Sequence, residues 1–259
     1  AAKMATWLEE GQTIVLNPGR TYGALEFYNE ITLKTNKKVY ISEAQSLIYA
    51  CRADTPGHVR IIGIKEKVLF TAYPPINTDF VLEKVNSVYP CFIKANNFLK
   101  TSFENIGAIL HPPVIIFNAA AIIRGDLFYF YNDMTPSLAG FLEQIDKERL
   151  AIGKAMGVDL LSLFEWVSYA YQKIEGDNLL ERMRNNPAYH KILAPNTLYS
   201  RLLLEDIPTG ILPMTETAKI LDVEVPLMNA VFEITESLLK IDFRKTGRTK
   251  ERLKLCKDS

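Results

Sequence analysis

Every stretch that reads as a β-strand lies before Asn97, and none follows it. Short apolar runs, "TIVLN", "KKVYISE", "HVRIIGI", "KVLFTAYP" and "CFIKAN", alternate with helical stretches near residues 23–33 and 78–88. Strands separated by helices predict a three-layer α/β sheet. Runs that are apolar throughout predict strands covered on both faces. Beyond Asn97 the signals are helical. Thr135 before Pro136 reads as an N-cap with proline at the first helical position. Leu138, Leu142, Ile145, Ile152 and Met156 then form a stripe at helical spacing, closed by Gly157. Pro226 opens a second such helix, with Leu227, Val231, Leu238 and Ile241 on one side. The chain thus divides into an α/β part, residues 1–97, and an all-α part, residues 98–259, without internal repeats or low-complexity segments.

Bulk properties narrow the function. The 259 residues suit one large domain or two ordinary ones, and 48% hydrophobic with 23% charged residues describes a soluble globular protein. Thirty basic residues balance thirty acidic ones, so no net field draws in nucleic acid or an anionic membrane. No apolar run reaches the roughly 18 residues needed to span a bilayer. Cys51, Cys91 and Cys256 are odd in number and lack metal-like spacing, which favours a reducing, cytoplasmic setting. The basic run "DFRKTGRTKERLK" reads as a solvated tail. Met4, Trp7 and Leu8 lie at helical spacing and predict an amphipathic helix leading into "TIVLN". A domain seldom starts inside such a unit, and without an initiator Met; both features suggest further sequence upstream.

His58, His111 and His190 are widely separated and no C-x-x-C occurs, so no metal site is expected. His111 stands directly before Pro112 and Pro113. Two prolines open a helix more readily than they lie inside one, which places His111 at a helix start. There the helix dipole disfavours an imidazolium. His111 is then either a helix cap or core histidine, or a poised acid/base. Asn118, two turns on, is the one polar side chain between Pro113 and Arg124. It either joins His111 in lining a polar pocket or ties down a neighbouring helix. In "YSRLLLEDIPTGILPM", Arg201 and Asp206 are either ordinary surface charges or a substrate-carboxylate ligand and the carboxylate that orients His111.

Five phrases, "LNPGRTYGALEF", "SLIYACR", "NIGAILHPP…FN", "TPSLAGFLEQIDKERLAI" and "EDIPTGILPM", together resemble the octopine/nopaline (opine) dehydrogenase family, and the match continues through "FRKTGRT". The resemblance implies a Rossmann-like domain, here its C-terminal part, followed by a helical domain like the C-terminal domain of 6-phosphogluconate dehydrogenase, with the active site between the two. It implies an NAD- or NADP-dependent oxidoreductase acting on CH–NH groups, which joins an amino acid to a 2-oxo acid such as pyruvate and reduces the imine. The family's His–Asp pair falls on His111 and Asp206, and its carboxylate-binding arginine on Arg201. Its cofactor-side turn falls on Asn17, Pro18, Gly19 and Thr21. Trp166, Tyr169, Tyr171 and Tyr199 are candidates to shape the amino-acid pocket.

One departure is plain: no G-x-G-x-x-G phosphate cradle occurs, "GRTYGA" being the nearest. The expectation is that this 259-residue chain alone binds a dinucleotide poorly and turns over little. Two rivals stand. Ketopantoate or glycerol-3-phosphate reductases share the plan but place a lysine at the His111 position; Lys94 and Lys100 are the candidates here. The other is a non-catalytic remnant acting as a binding module. NAD versus NADP and oligomeric state, a homodimer included, stay open.

Overall fold

The computed structural model describes residues 1–170 and 174–256, and of residues 52–54 the backbone alone. It divides into two compact units. The first holds Ala1–Asn105 with Glu251–Lys254; the second holds Ile106–Lys250 and the residues from Leu255 onward.

In chain order the first unit contains β1 (Thr13–Leu16), α1 (Gly23–Thr32), β2 (Tyr40–Ala44), β3 (Tyr49–Thr55), β4 (His58–Ile64), β5 (Val68–Tyr73), α2 (Thr78–Asn86), β6 (Phe92–Lys94) and α3 (Phe98–Phe103). Four strands form a mixed sheet in the order β1-β2-β5-β6. β1 and β2 are parallel with Thr13 opposite Tyr40, β2 and β5 antiparallel with Ile41 opposite Tyr73, and β5 and β6 parallel. Alternation sends Tyr40 and Ala44 to one face, where with Phe70 and Phe92 they meet Val81 and Val85 of α2. Glu43 points to the other face, where α1 and α3 lie. The result is the three layers that the sequence predicts.

Three expectations need correction. "HVRIIGI" does form a strand, β4, but it is neither part of the three-layer sheet nor covered on both faces: it pairs with β3 alone in a separate two-stranded antiparallel sheet, and Val59, Ile61 and Ile64 are exposed. An apolar run in this ribbon carried the same signal as a buried strand. No helix forms at the start, where hydrogen-bonded turns link Met4 and Ala5 to Ala1. Of that segment only Ala5 and Leu8 are buried and Trp7 is 83% exposed, too little burial to offset ordering a short helix. The change of texture at Asn97 precedes the division between the units by eight residues, because Tyr22 packs on Phe98 and Phe103 of α3.

The second unit contains α4 (Ile106–Phe117), α5 (Ala119–Arg124), α6 (Pro136–Ala155), α7 (Leu163–Ala170), α8 (Leu179–Asn185), α9 (Arg201–Leu204), a π-helical turn (Ile207–Ile211), α10 (Leu212–Ile220) and α11 (Pro226–Leu239). A last short helix, α12 (Lys250–Leu253), follows. Among the described residues the only β pairing here is a bridge between Tyr129 and Leu193. Thr135 caps α6 by accepting from Leu138 N at 3.2 Å, and Leu138, Leu142, Ile145 and Ile152 are buried. On α11 the buried stripe is Met228, Val231, Phe232, Thr235 and Leu239. It shares only Val231 with the predicted face, since Leu238 is exposed. The basic C-terminal run is no solvated tail: Phe243, Gly247 and Leu253 are buried, and Arg252 pairs with Glu26 at 2.6 Å.

Candidate active site

His111 is the sixth residue of α4, and Pro112 and Pro113 lie inside the helix rather than opening it. The expected helix-start position, and the dipole effect drawn from it, do not hold. Each interior proline removes an N–H and crowds the previous turn, at a cost of about 3 kcal/mol in an isolated helix. Burial outweighs this. Ile106, Ala108, Ile109, Leu110, both prolines, Val114 and Ile115 are buried, so tertiary packing dictates the helix. α4 packs against α6, α9, α11 and the π turn.

Asp206 arrives from the far side of that packing. It immediately precedes the π turn, in which Leu212 N donates to Ile207 O, five residues back. Pro208 and Pro213 cannot donate to a regular α ladder, and the π turn carries the chain past them. Asp206 is fully buried and His111 only 16% exposed, and His111 Nδ1 lies 2.7 Å from Asp206 Oδ2. A carboxylate accepts only, so Nδ1 carries the proton and Nε2 is left to exchange one with a ligand. The Phe130 ring meets the imidazole edge-on, with centroids 5.8 Å apart. Phe130 is held by its N–H to Ile192 O at 2.7 Å, beside the Tyr129–Leu193 bridge. Nothing in the sequence marks Phe130, because the bridge joins segments too short and irregular to read as strands.

The other predicted residues are placed as follows. Arg201 is the first residue of α9, 59% exposed, and its nearest ion pair is a loose 3.7 Å contact with Glu205. Asn118 sits where α4 gives way to α5 and donates from Nδ2 to its own helix, to Val114 O at 2.8 Å. It therefore ties down no neighbouring helix by that bond. Lys94 pairs with Asp79 and Lys100 with Glu104, both in the first unit. Trp166 is buried, Tyr199 donates to Leu239 O at 3.2 Å, and Tyr171 lies outside the described residues.

The turn after β1 is built around Glu43. Its carboxylate is fully buried, accepts from Ala24 N at 2.8 Å, and accepts from Thr101 Oγ1 at 2.7 Å and Ser102 Oγ at 2.9 Å. Gly19 must lack a side chain here, since a Cβ would lie 2.5 Å from Glu43 Oε2. Arg20 and Tyr22 adopt left-handed backbone angles, φ 63° and 62°, steadied by Arg20 Nη1 to Asn105 Oδ1 and Tyr22 N to Ser102 Oγ. Thr21 is buried and receives Asn105 Nδ2, while Asn17 is exposed. Asn17 also borders a cavity of about 430 Å³ whose walls are mostly apolar, among them Val15, Ile48, Val85 and Phe92.

The chain carries a Rossmann-like unit followed by a helical one, the plan of a class of dehydrogenases of known structure. A structure of octopine dehydrogenase with NADH and L-arginine is similar at a TM-score of 0.77 and 19% identity, over 98% of this chain and 70% of that one. Yersinopine dehydrogenase with NADP+ bound is similar at a TM-score of 0.70 and 13% identity, over 95% and 69%. In sequence, an opine dehydrogenase of Arthrobacter sp. (strain 1C) is 38% identical over 256 residues, which span 98% of this chain and 71% of that enzyme. The family model for the alpha-helical domain of NAD/NADP octopine/nopaline dehydrogenases matches residues 94–239. The chain belongs to the octopine/nopaline dehydrogenase family.

That family implies a nicotinamide dinucleotide. The carboxyl end of a parallel strand is where open α/β sheets bind such ligands, and the exposed Asn17 turn follows β1 there. The start of α1, by contrast, is no phosphate cradle, because Glu43 already fills it with a negative charge. The described residues thus leave an exposed turn at that strand end and no cradle for phosphates at the start of α1.

Proposed function

We propose that this protein is an opine dehydrogenase, which condenses the amino group of an amino acid with a 2-oxo acid such as pyruvate and reduces the imine reversibly with NAD(P)H. Support comes above all from one observation: the 2.7 Å His111–Asp206 contact, in a chain of this family. NAD(P)H supplies the hydride when bound; the residues described here provide placement and the proton. Asn17 and Pro18 border the nicotinamide end, with Gly19 and Thr21 shaping the turn from beneath.

His111 Nε2 takes a proton from the substrate ammonium as the amine attacks the oxo carbon, and gives it to the carbinolamine oxygen as water leaves or to the nitrogen as the imine carbon is reduced; the reverse reaction runs these transfers backwards. Asp206 holds the Nδ1–H tautomer and stabilises the transient imidazolium. Arg201 takes a substrate carboxylate, and its loose pairing with Glu205 leaves the guanidinium free to fork around two oxygens. Asn118, about two turns from His111, adds a polar edge to the same site.

The test is nicotinamide absorbance with NADH or NADPH, pyruvate and a panel of amino acids. Oxidation that requires both the amine and the oxo acid supports the reading. Oxidation by an oxo acid alone would move the protein to the ketopantoate or hydroxy-acid reductases, and no oxidation with any pair, with the dinucleotide raised to offset its weak binding, would remove the proposal.

A further inference from the structure

The prolines after Asp206 leave one carbonyl to be satisfied from outside the helix. In the π turn, Leu212 N donates to Ile207 O. The next bond in that ladder would run from residue 213 to Pro208 O, but Pro213 has no N–H. The donor is Arg248 N, 2.9 Å from Pro208 O. It reaches that position because Gly247, buried against the turn, lacks a side chain. A Cβ there would lie 2.5 Å from Leu212 Cδ2, 2.6 Å from Phe243 O and 3.0 Å from Pro208 O. Two of these three neighbours are backbone oxygens, which cannot swing aside. Gly247 has no left-handed φ, so room alone demands glycine. The segment is anchored by buried Phe243, whose N–H donates to Glu236 Oε1 at 2.9 Å.

We propose that the Gly247–Arg248 backbone is a positioning element for the acid–base pair: it locks the π turn that aims Asp206 at His111. The proposal rests on reading that pair as the proton-delivery group. It acts through Asp206 and touches no substrate.

Gly247→Ala should lower kcat ten- to about a hundredfold, the scale of an ångström's misplacement, with KM changed less than about threefold. In an Asp206→Asn background the same substitution should alter kcat by less than about twofold, because the carboxylate it acts through is gone. Equal losses in both backgrounds would overturn the proposal. A second readout needs no turnover: the NMR resonance of the His111 Nδ1 proton should shift or broaden in Gly247→Ala, and an unchanged resonance would overturn the proposal. Should Gly247→Ala not fold, Arg248→Pro, which removes the N–H, is compared with Arg248→Ala, which keeps it. Only the proline variant should perturb the ring proton beyond its control, and equal effects would sink the idea. If the wild type shows no amine-dependent oxidation, the proposed activity fails while the ring-proton comparison still decides the positioning.

Discussion

At the scale of single residues, the consequence of the 2.7 Å Nδ1–Oδ2 contact is a division of labour. His111→Ala should cut turnover by roughly 10²–10⁴-fold, the usual contribution of a placed acid/base, and a thermal melt should also fall, because the fully buried Asp206 carboxylate loses a hydrogen-bond partner. Asp206→Asn should be nearly as damaging, up to about 10⁴-fold, since an amide permits the wrong tautomer, and its circular dichroism should match the wild type. Arg201→Lys keeps the charge but loses the fork, so KM for the oxo acid should rise about tenfold with kcat less affected. An unchanged KM would take Arg201 out of the substrate site. His111 and Asp206 could be singled out as candidates by type and context. Their meeting could not, because 95 residues separate them and only the packing of α4 on the π turn brings them together. Phe130 and Gly247 left no trace, one reaching its place through an isolated bridge and the other through an empty volume.

At the scale of elements, the cap and stripe of α6 were legible, while the buried face of α11 and the strand pairings were not. α6 forms where Thr135, Pro136 and its apolar stripe indicate, because cap and periodicity act within one turn. Its buried ion pair was invisible: Arg149 Nε donates to Asp146 Oδ1 at 2.8 Å, and Asp146 Oδ2 accepts from Leu163 N, tying α7 to α6. Charges three apart on a helix look alike whether wet or dry. Asp146→Ala leaves a buried guanidinium without its carboxylate and should lower stability by about 3–5 kcal/mol in urea unfolding. The β3–β4 ribbon was misread for a related reason, since an apolar run does not say which strand it pairs with. The two prolines of α4 misled more deeply, because local propensity there is overruled by burial on nearly every side.

At the scale of the whole molecule, stability against pH carries a readable signature. Burial pushes the Lys65 ammonium from 10.5 down to about 8, although its Nζ donates to Ser46 Oγ at 2.9 Å. A folded amine that prefers to be neutral takes up a proton on unfolding between those two values, so its contribution to stability grows as pH rises from about 8 towards 10.5 and is lost as pH falls through 8. Lys65→Met should therefore melt higher than the wild type at pH 7, with the gap narrowing by pH 10; a constant gap would show that the shift is absent. The proline-bearing helix has a last implication. A peptide cut from Ile106–Phe117 has no local reason to coil, and the imidazole it holds finds its carboxylate only when the helical unit is complete. Half-folded forms carry the histidine without its carboxylate, so if His111 delivers the proton as proposed, maturation of the chain and the onset of reactivity are one event.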